Sequence, residues 1–162
     1  MERYSNIPVS KLSQTQRDPE KERKLLEDRD PDDLYEYARD IIKGRWPEAE
    51  PIIMQDPYAS LAYAQYIIKD RWPEAESAIS KEPVAAVVYA KTVIKGRWPE
   101  AEPTIMQDLW QTTSYAINIL KGRWPEAEPF IAKNSYYWKT YKEFLKSIGQ
   151  EIDVWESEET WD

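Results

Sequence analysis

The chain has 162 residues, with 22 Lys+Arg against 30 Asp+Glu for a net charge of −8, eight tryptophans, eleven tyrosines, twelve prolines, and neither cysteine nor histidine. One domain of ordinary size fits that length. Disulfides, thiolate nucleophiles, Cys- or His-ligated zinc and every catalytic unit that needs histidine are excluded. The acidic balance disfavours a broad nucleic-acid footprint, and no apolar run approaches the roughly 20 residues of a membrane span, so a soluble, cytoplasmic protein is expected.

In chain order, residues 1–14 read as a polar arm. Residues 15–31 read as a degenerate half-unit, an N-terminal cap with Leu25, Leu26 and an Asp30-Pro31 start signal. The hexapeptide Arg-Trp-Pro-Glu-Ala-Glu then begins at Arg45, Arg71, Arg97 and Arg123, a constant spacing of 26 residues. Tyr37, Tyr63, Tyr89, Tyr115 and Tyr141 keep the same period, as do the lysines at 43, 69, 95 and 121. Such a period means stacked supersecondary units.

Leu34, Tyr37, Ala38, Ile41 and Ile42 follow the i, i+3, i+4, i+7, i+8 pattern of an amphipathic helix. Gly44, with its equivalents Gly96 and Gly122, sits where a left-handed C-cap is expected, and Lys43 faces the negative end of the helix dipole. Asp70 replaces this glycine once and is less suited to that geometry. Pro47 suits the first turn of a second helix, whereas Pro51 should make that turn irregular. Asp56-Pro57 opens the next unit as N-cap and first helical residue. Each unit is therefore expected to be a helix of about eleven residues, a tight turn and a helix of about eight, the units stacking into an all-α solenoid. Residues 15–149 form one α-repeat domain: cap 15–31, repeats 32–134 and a final helix 135–149. An acidic aromatic tail, 150–162, comes last, with six acids, no Lys or Arg, and Trp155 and Trp161.

The hexapeptide holds a cation, two carboxylates and an aromatic ring, but it recurs at the structural period. That makes Arg45, Trp46 and Glu48, Arg71, Trp72 and Glu74, Arg97, Trp98 and Glu100, and Arg123, Trp124 and Glu126 scaffold residues. In this reading tryptophan wedges between helices and arginine pairs with a glutamate of its own or the next unit. Glu48 and Glu50 point apart on a helix and cannot share a metal.

The run from Tyr37 to Glu50, Tyr-Ala-x-x-Ile-Ile-Lys-Gly-Arg-Trp-Pro-Glu-Ala-Glu, resembles the short helical repeats of proteins from large tailed phages and giant viruses. The resemblance covers residues 32–134. It implies a viral source and a host-directed or regulatory role in the host cytoplasm, and no particular activity.

Scaffold positions recur in a solenoid and recognition positions vary. On the face opposite the core, unit one carries Glu36, Arg39, Asp40 and Lys43, whereas later units carry Tyr66, Val88, Ile117 and Asn118. These four, with Trp155 and Trp161, are the expected partner-binding residues. The function expected is a non-enzymatic protein–protein interaction module, an inhibitor or adaptor that binds a host protein. The alternative is an acidic mimic of nucleic acid that blocks a host nucleic-acid-binding factor. No catalytic, cofactor or metal residue is identified. No direct nucleic-acid or membrane contact is expected, and homo-oligomerisation stays open.

Overall fold

The computed structural model describes residues 17–152. The arm 1–14 and the partner candidates Trp155 and Trp161 lie outside the described residues. The fold is all-α. A lone helix, α1 (Pro19–Asp28), precedes four pairs and a closing helix. The pairs are α2 (Pro31–Tyr37) with α3 (Glu50–Ile53), α4 (Pro57–Tyr63) with α5 (Pro73–Ile79), α6 (Pro83–Tyr89) with α7 (Glu102–Ile105), and α8 (Leu109–Tyr115) with α9 (Glu128–Ile131). The closing helix is α10 (Ser135–Ser147).

The starts of α2, α4, α8 and α10 obey the cap chemistry, whereas Glu82 before α6 makes no side-chain cap bond. Asp30 Oδ1 accepts the N–H groups of Asp32 and Asp33, and Asp56 Oδ1 those of Tyr58 and Ala59. Asp108 and Asn134 act likewise on Gln111 and on Tyr136 and Tyr137. Each satisfies N–H groups that the helix itself cannot.

Helix ends differ from the expectation. The first helix of each pair runs on as a π-helix: Ala38–Ile42, Ala64–Ile68, Ala90–Ile94 and Ala116–Leu120. The wider π turn rotates the aliphatic pairs off the arc that a 3.6-residue period assigns them. Ile41 and Ile42, and their counterparts, are accordingly half-buried at the edge of the core. The left-handed residue is the lysine, not the glycine: φ is 57° at Lys43, 60° at Lys69, 59° at Lys95 and 52° at Lys121. Gly44 and Gly96 instead donate their N–H groups to Ala38 and Ala90, six residues back. Asp70 is therefore no misfit, and its Oδ1 accepts the Arg71 N–H at 2.7 Å.

The second helices show what the proline does. Unit two has Ser77 where the other units have Pro51, Pro103 and Pro129, and only there does the helix run unbroken from Pro73 to Ile79. With proline present, the α-helix starts at Glu50, Glu102 or Glu128 and lasts four residues. Proline cannot donate inside the first turn, so the turn before it opens into irregular or 3-10 backbone.

Helices α2, α4, α6, α8 and α10 pack side by side in chain order. Each second helix touches the long helix of its own unit and that of the next. Ile53, Ile79, Ile105 and Ile131 are fully buried between the two layers, with Tyr63, Tyr89, Tyr115 and Tyr141. Among the described residues no helix is long and apolar enough to cross a membrane.

Candidate partner-binding face

The hexapeptide builds a latch between units. Arg45 grips Glu50 with both prongs, Nε to Oε1 and Nη2 to Oε2, each at 2.7 Å. The Tyr63 hydroxyl, from the next unit, donates to Glu50 Oε1 at 3.0 Å and accepts the Trp46 backbone N–H at 2.6 Å. Tyr89 closes the same circuit on Arg71, Trp72 and Glu76. Tyr115 does so on Arg97, Trp98 and Glu102, and Tyr141 on Arg123, Trp124 and Glu128. The tyrosine ring meanwhile packs on the tryptophan of its own unit, with centroids 5.0 Å apart for Tyr63–Trp72 and 5.3 Å for Tyr37–Trp46. One side chain thus ties two consecutive tryptophan segments together.

Burial pushes the phenols of Tyr89, Tyr115 and Tyr141 up to about 12, and Tyr63 higher still. The forks to Arg45 and Arg71 hold the Glu50 and Glu76 carboxyls below the usual range. No buried side-chain N or O among the described residues lacks a partner. The engaged carboxylate is the second glutamate of the hexapeptide. Glu48, Glu74, Glu100 and Glu126, expected as scaffold residues, are exposed. The reason is reach: a fork needs the carboxylate on the tyrosine side of the short helix, where Glu50 sits. Glu74 only adds to the field that keeps Arg45 charged.

A fifth latch lies off the 26-residue period. Arg17-Asp18-Pro19-Glu20-Lys21-Glu22 keeps the arginine, the proline and both glutamates, 28 residues before Arg45. Arg17 forks onto Glu22, and the Tyr37 hydroxyl accepts the Asp18 N–H and donates to Glu22. Two extra residues in α1 hide it from the period.

With scaffold positions so occupied, the outer face of the long helices is what varies. Tyr66 is 61% exposed and Asn118 is exposed, although its side-chain amide bonds back to the Ser114 carbonyl at 3.0 Å. Val88 and Ile117 are not free anchors, because both are half-buried and packed against the core. The apolar surface lies elsewhere on the same face. Tyr58, Val84, Trp110 and Tyr136 are 49, 41, 59 and 67% exposed, one per unit at the period of the repeat. They occupy the second helical position, on the long helix that in unit two runs on to Tyr66. Unit one has Asp32 at this position. The row lies five residues ahead of the repeated tyrosine, outside the variable positions that surround it.

No family model matches this chain, and neither a curated protein nor a solved structure is detectably similar to it.

Neighbouring side chains position members of the row. Tyr58 is held by partial burial and by the Glu82 carboxylate of the next unit, both of which raise its phenol. Trp110 meets Tyr137 edge-on at 6.5 Å, and Tyr137 meets Tyr136 at 5.4 Å. Gln65 Nε2 donates to Thr92 Oγ1 at 2.6 Å and ties units two and three across the middle of the face. Exposed Lys69, Lys95 and Lys121 follow the C-terminal end of each long helix, eleven residues after the apolar row. Among the described residues no cluster of acids could hold a metal ion.

Proposed function

We propose that this protein is a non-enzymatic interaction module that binds a partner protein across the outer face of units two to four and α10. The supporting observation is the exposed row Tyr58, Val84, Trp110 and Tyr136. One exposed apolar residue means little, but four aligned at the repeat period make a strip of the kind that carries binding energy. The lysine edge sets the chemistry of the partner: an apolar ridge with acidic groups on the side that faces the ends of the long helices. If the repeat resemblance reflects a viral origin, that partner is a host protein and the role is inhibitor or adaptor. The latch carboxylates are committed to arginine and tyrosine, which favours a binding role over catalysis. The exposed lysine row weighs against the acidic-mimic reading.

The test compares wild type with a Tyr58→Ser, Trp110→Ser, Tyr136→Ser triple variant in affinity purification from host lysate. Loss of a dominant partner with the folded repeats retained and only a small shift in thermal unfolding is expected, since the three side chains are largely exposed. Retention of the partner by the variant would sink the proposal.

A further inference from the structure

Helices α1 and α10 are each half of a unit. Helix α10 is a long helix with no second helix after it among the described residues. Beyond it Gln150 Oε1 accepts the Arg123 N–H and Ile152 is half-buried against the core, so the chain returns to unit four and leaves the second-helix place open. Helix α1 is the converse, a second helix with no long helix before it among the described residues. Every other second helix lies between two long helices.

Burial along the repeat shows which side of a long helix meets which neighbour. Leu34, Tyr35, Ala38 and their equivalents in units two to four are all buried. At these positions α10, with no unit after it, has a half-buried Trp138 and exposed Lys139 and Lys142. On the opposite side Ala59 and Ala85 are buried, and Ala62 and Val88 half-buried. There α2, with no long helix before it, has exposed Asp33 and Glu36. Among the described residues none of Asp33, Glu36 and Lys142 has an ion-pair partner, and Lys139 has only exposed Glu143, at 3.9 Å. A groove of about 330 Å³ runs between α1 and α2, lined by Leu25, Ile41, Asp33, Glu36 and Asp40, with Lys21 over the Tyr37 ring.

The aromatic rings complement each other as the charges do. An interior tyrosine takes its ring neighbour from the hexapeptide that follows it. Tyr141 takes Trp138 from its own helix instead, at 5.9 Å, and the hexapeptide of α1 has Asp18 in place of the tryptophan. The ring missing from one end is present at the other.

We propose that copies of this protein join head to tail, α1 and α2 of one copy seating on α10 of another so that two half-units make one. Three observations select a second copy as the occupant. The missing helix of each end is the surplus helix of the other, the open sides carry opposite charge, and only one end brings a ring. The junction continues the packing that already joins consecutive units. Unlike ends meet, so the contact is heterologous and builds rings or filaments. It does not rest on the partner-binding row.

Sedimentation velocity of the full-length protein tests it. The average mass is expected to pass twice the chain mass as concentration rises from about 5 to about 200 μM. An Asp33→Lys, Glu36→Lys variant and a Lys139→Glu, Lys142→Glu variant should each stay monomeric through like-charge repulsion, with helicity by circular dichroism unchanged. A chain carrying all four changes should assemble again. A monomeric wild type, assembly that survives in either charge variant, or no recovery in the four-change chain would overturn the proposal. Loss of assembly in a Tyr58→Ser, Trp110→Ser variant would place self-association on the outer face and overturn it as well.

Discussion

Each end of the solenoid replaces a different one of the two contacts that the hexapeptide makes in the interior. At the N-terminal end the polar half survives: Arg17, Glu22 and the Asp18 N–H engage Tyr37 as Arg45, Glu50 and Trp46 engage Tyr63, but Asp18 stands where the tryptophan should be. At the C-terminal end there is no further hexapeptide, yet Tyr141 still has a ring beside it. Trp138 of the same helix lies 5.9 Å away, where interior tyrosines meet the tryptophan of their own unit at 5.0 to 5.3 Å. The hexapeptide therefore does two separable things. It latches a unit to its successor through hydrogen bonds, and it wedges a ring against its own unit's tyrosine.

Alkali attacks all the latches at once and should have the largest effect. Tyr89, Tyr115 and Tyr141 titrate near 12 when folded, against about 10 in an unfolded chain. Between those values the unfolded chain releases protons that the folded one keeps, so stability falls as pH rises and is complete only below about 10. The loss over that window is on the order of several kcal/mol for the three together. Chemical denaturation from pH 9 to 11.5 measures it, and a flat profile would mean that the hydroxyls are not buried donors. On the acid side Glu50 and Glu76 are lowered, so their contribution is present above the ordinary value of 4.5 and is lost as pH falls through their folded values.

Next come the rings. Trp98→Ala opens a cavity in an interior unit, where the side chain is 2% exposed, and should cost about 3–5 kcal/mol. Trp138→Ala, at the half-exposed end, should cost about 1 kcal/mol. Equal losses would mean that the end is packed as tightly as the interior. Tyr89→Phe then isolates the latch, because the ring stays while the Trp72 N–H and Glu76 lose a partner. It should cost about 1–3 kcal/mol by equilibrium unfolding. Tyr37→Phe should cost less, since the Asp18 N–H lies at an exposed position where water can replace the hydroxyl.

Periodicity decided how much of the molecule was legible in its sequence. The all-α class and the buried tryptophans could be read because each recurs at one spacing. The fifth latch could not, because two residues inserted into α1 shift Arg17 off the period. The π segments were also invisible: Ala38 to Ile42 has the same residue types that an α-helix would take, and only the Lys43 N–H reaching back five residues to Ala38 marks the difference. The exposed outer face was half legible. Tyr66 and Asn118 are exposed as expected, but Val88 and Ile117 turn towards the core, and the apolar row begins at Tyr58, outside the span that the tyrosine positions define.

The turn glycines give the smallest and most discriminating prediction. Composition suggests that Gly44, Gly96 and Gly122 are needed for left-handed backbone, yet the lysine before each already provides it. At Gly44 and Gly96 an added Cβ would meet nothing within 4 Å. Gly44→Ala and Gly96→Ala should therefore stabilise the chain, by about 0.4–1 kcal/mol, through a less disordered unfolded state. Gly149 lies at φ 75° with equally open surroundings, so Gly149→Ala should destabilise by about 1 kcal/mol through backbone strain alone. The three variants differ only in φ, and thermal shifts of opposite sign would show that conformation, not space, separates the turns inside the repeats from the turn that ends them. A loss at Gly44 comparable to that at Gly149 would put the left-handed residue back on the glycine. It would also leave Asp70, which fills that position in unit two and bonds the Arg71 N–H, without an account.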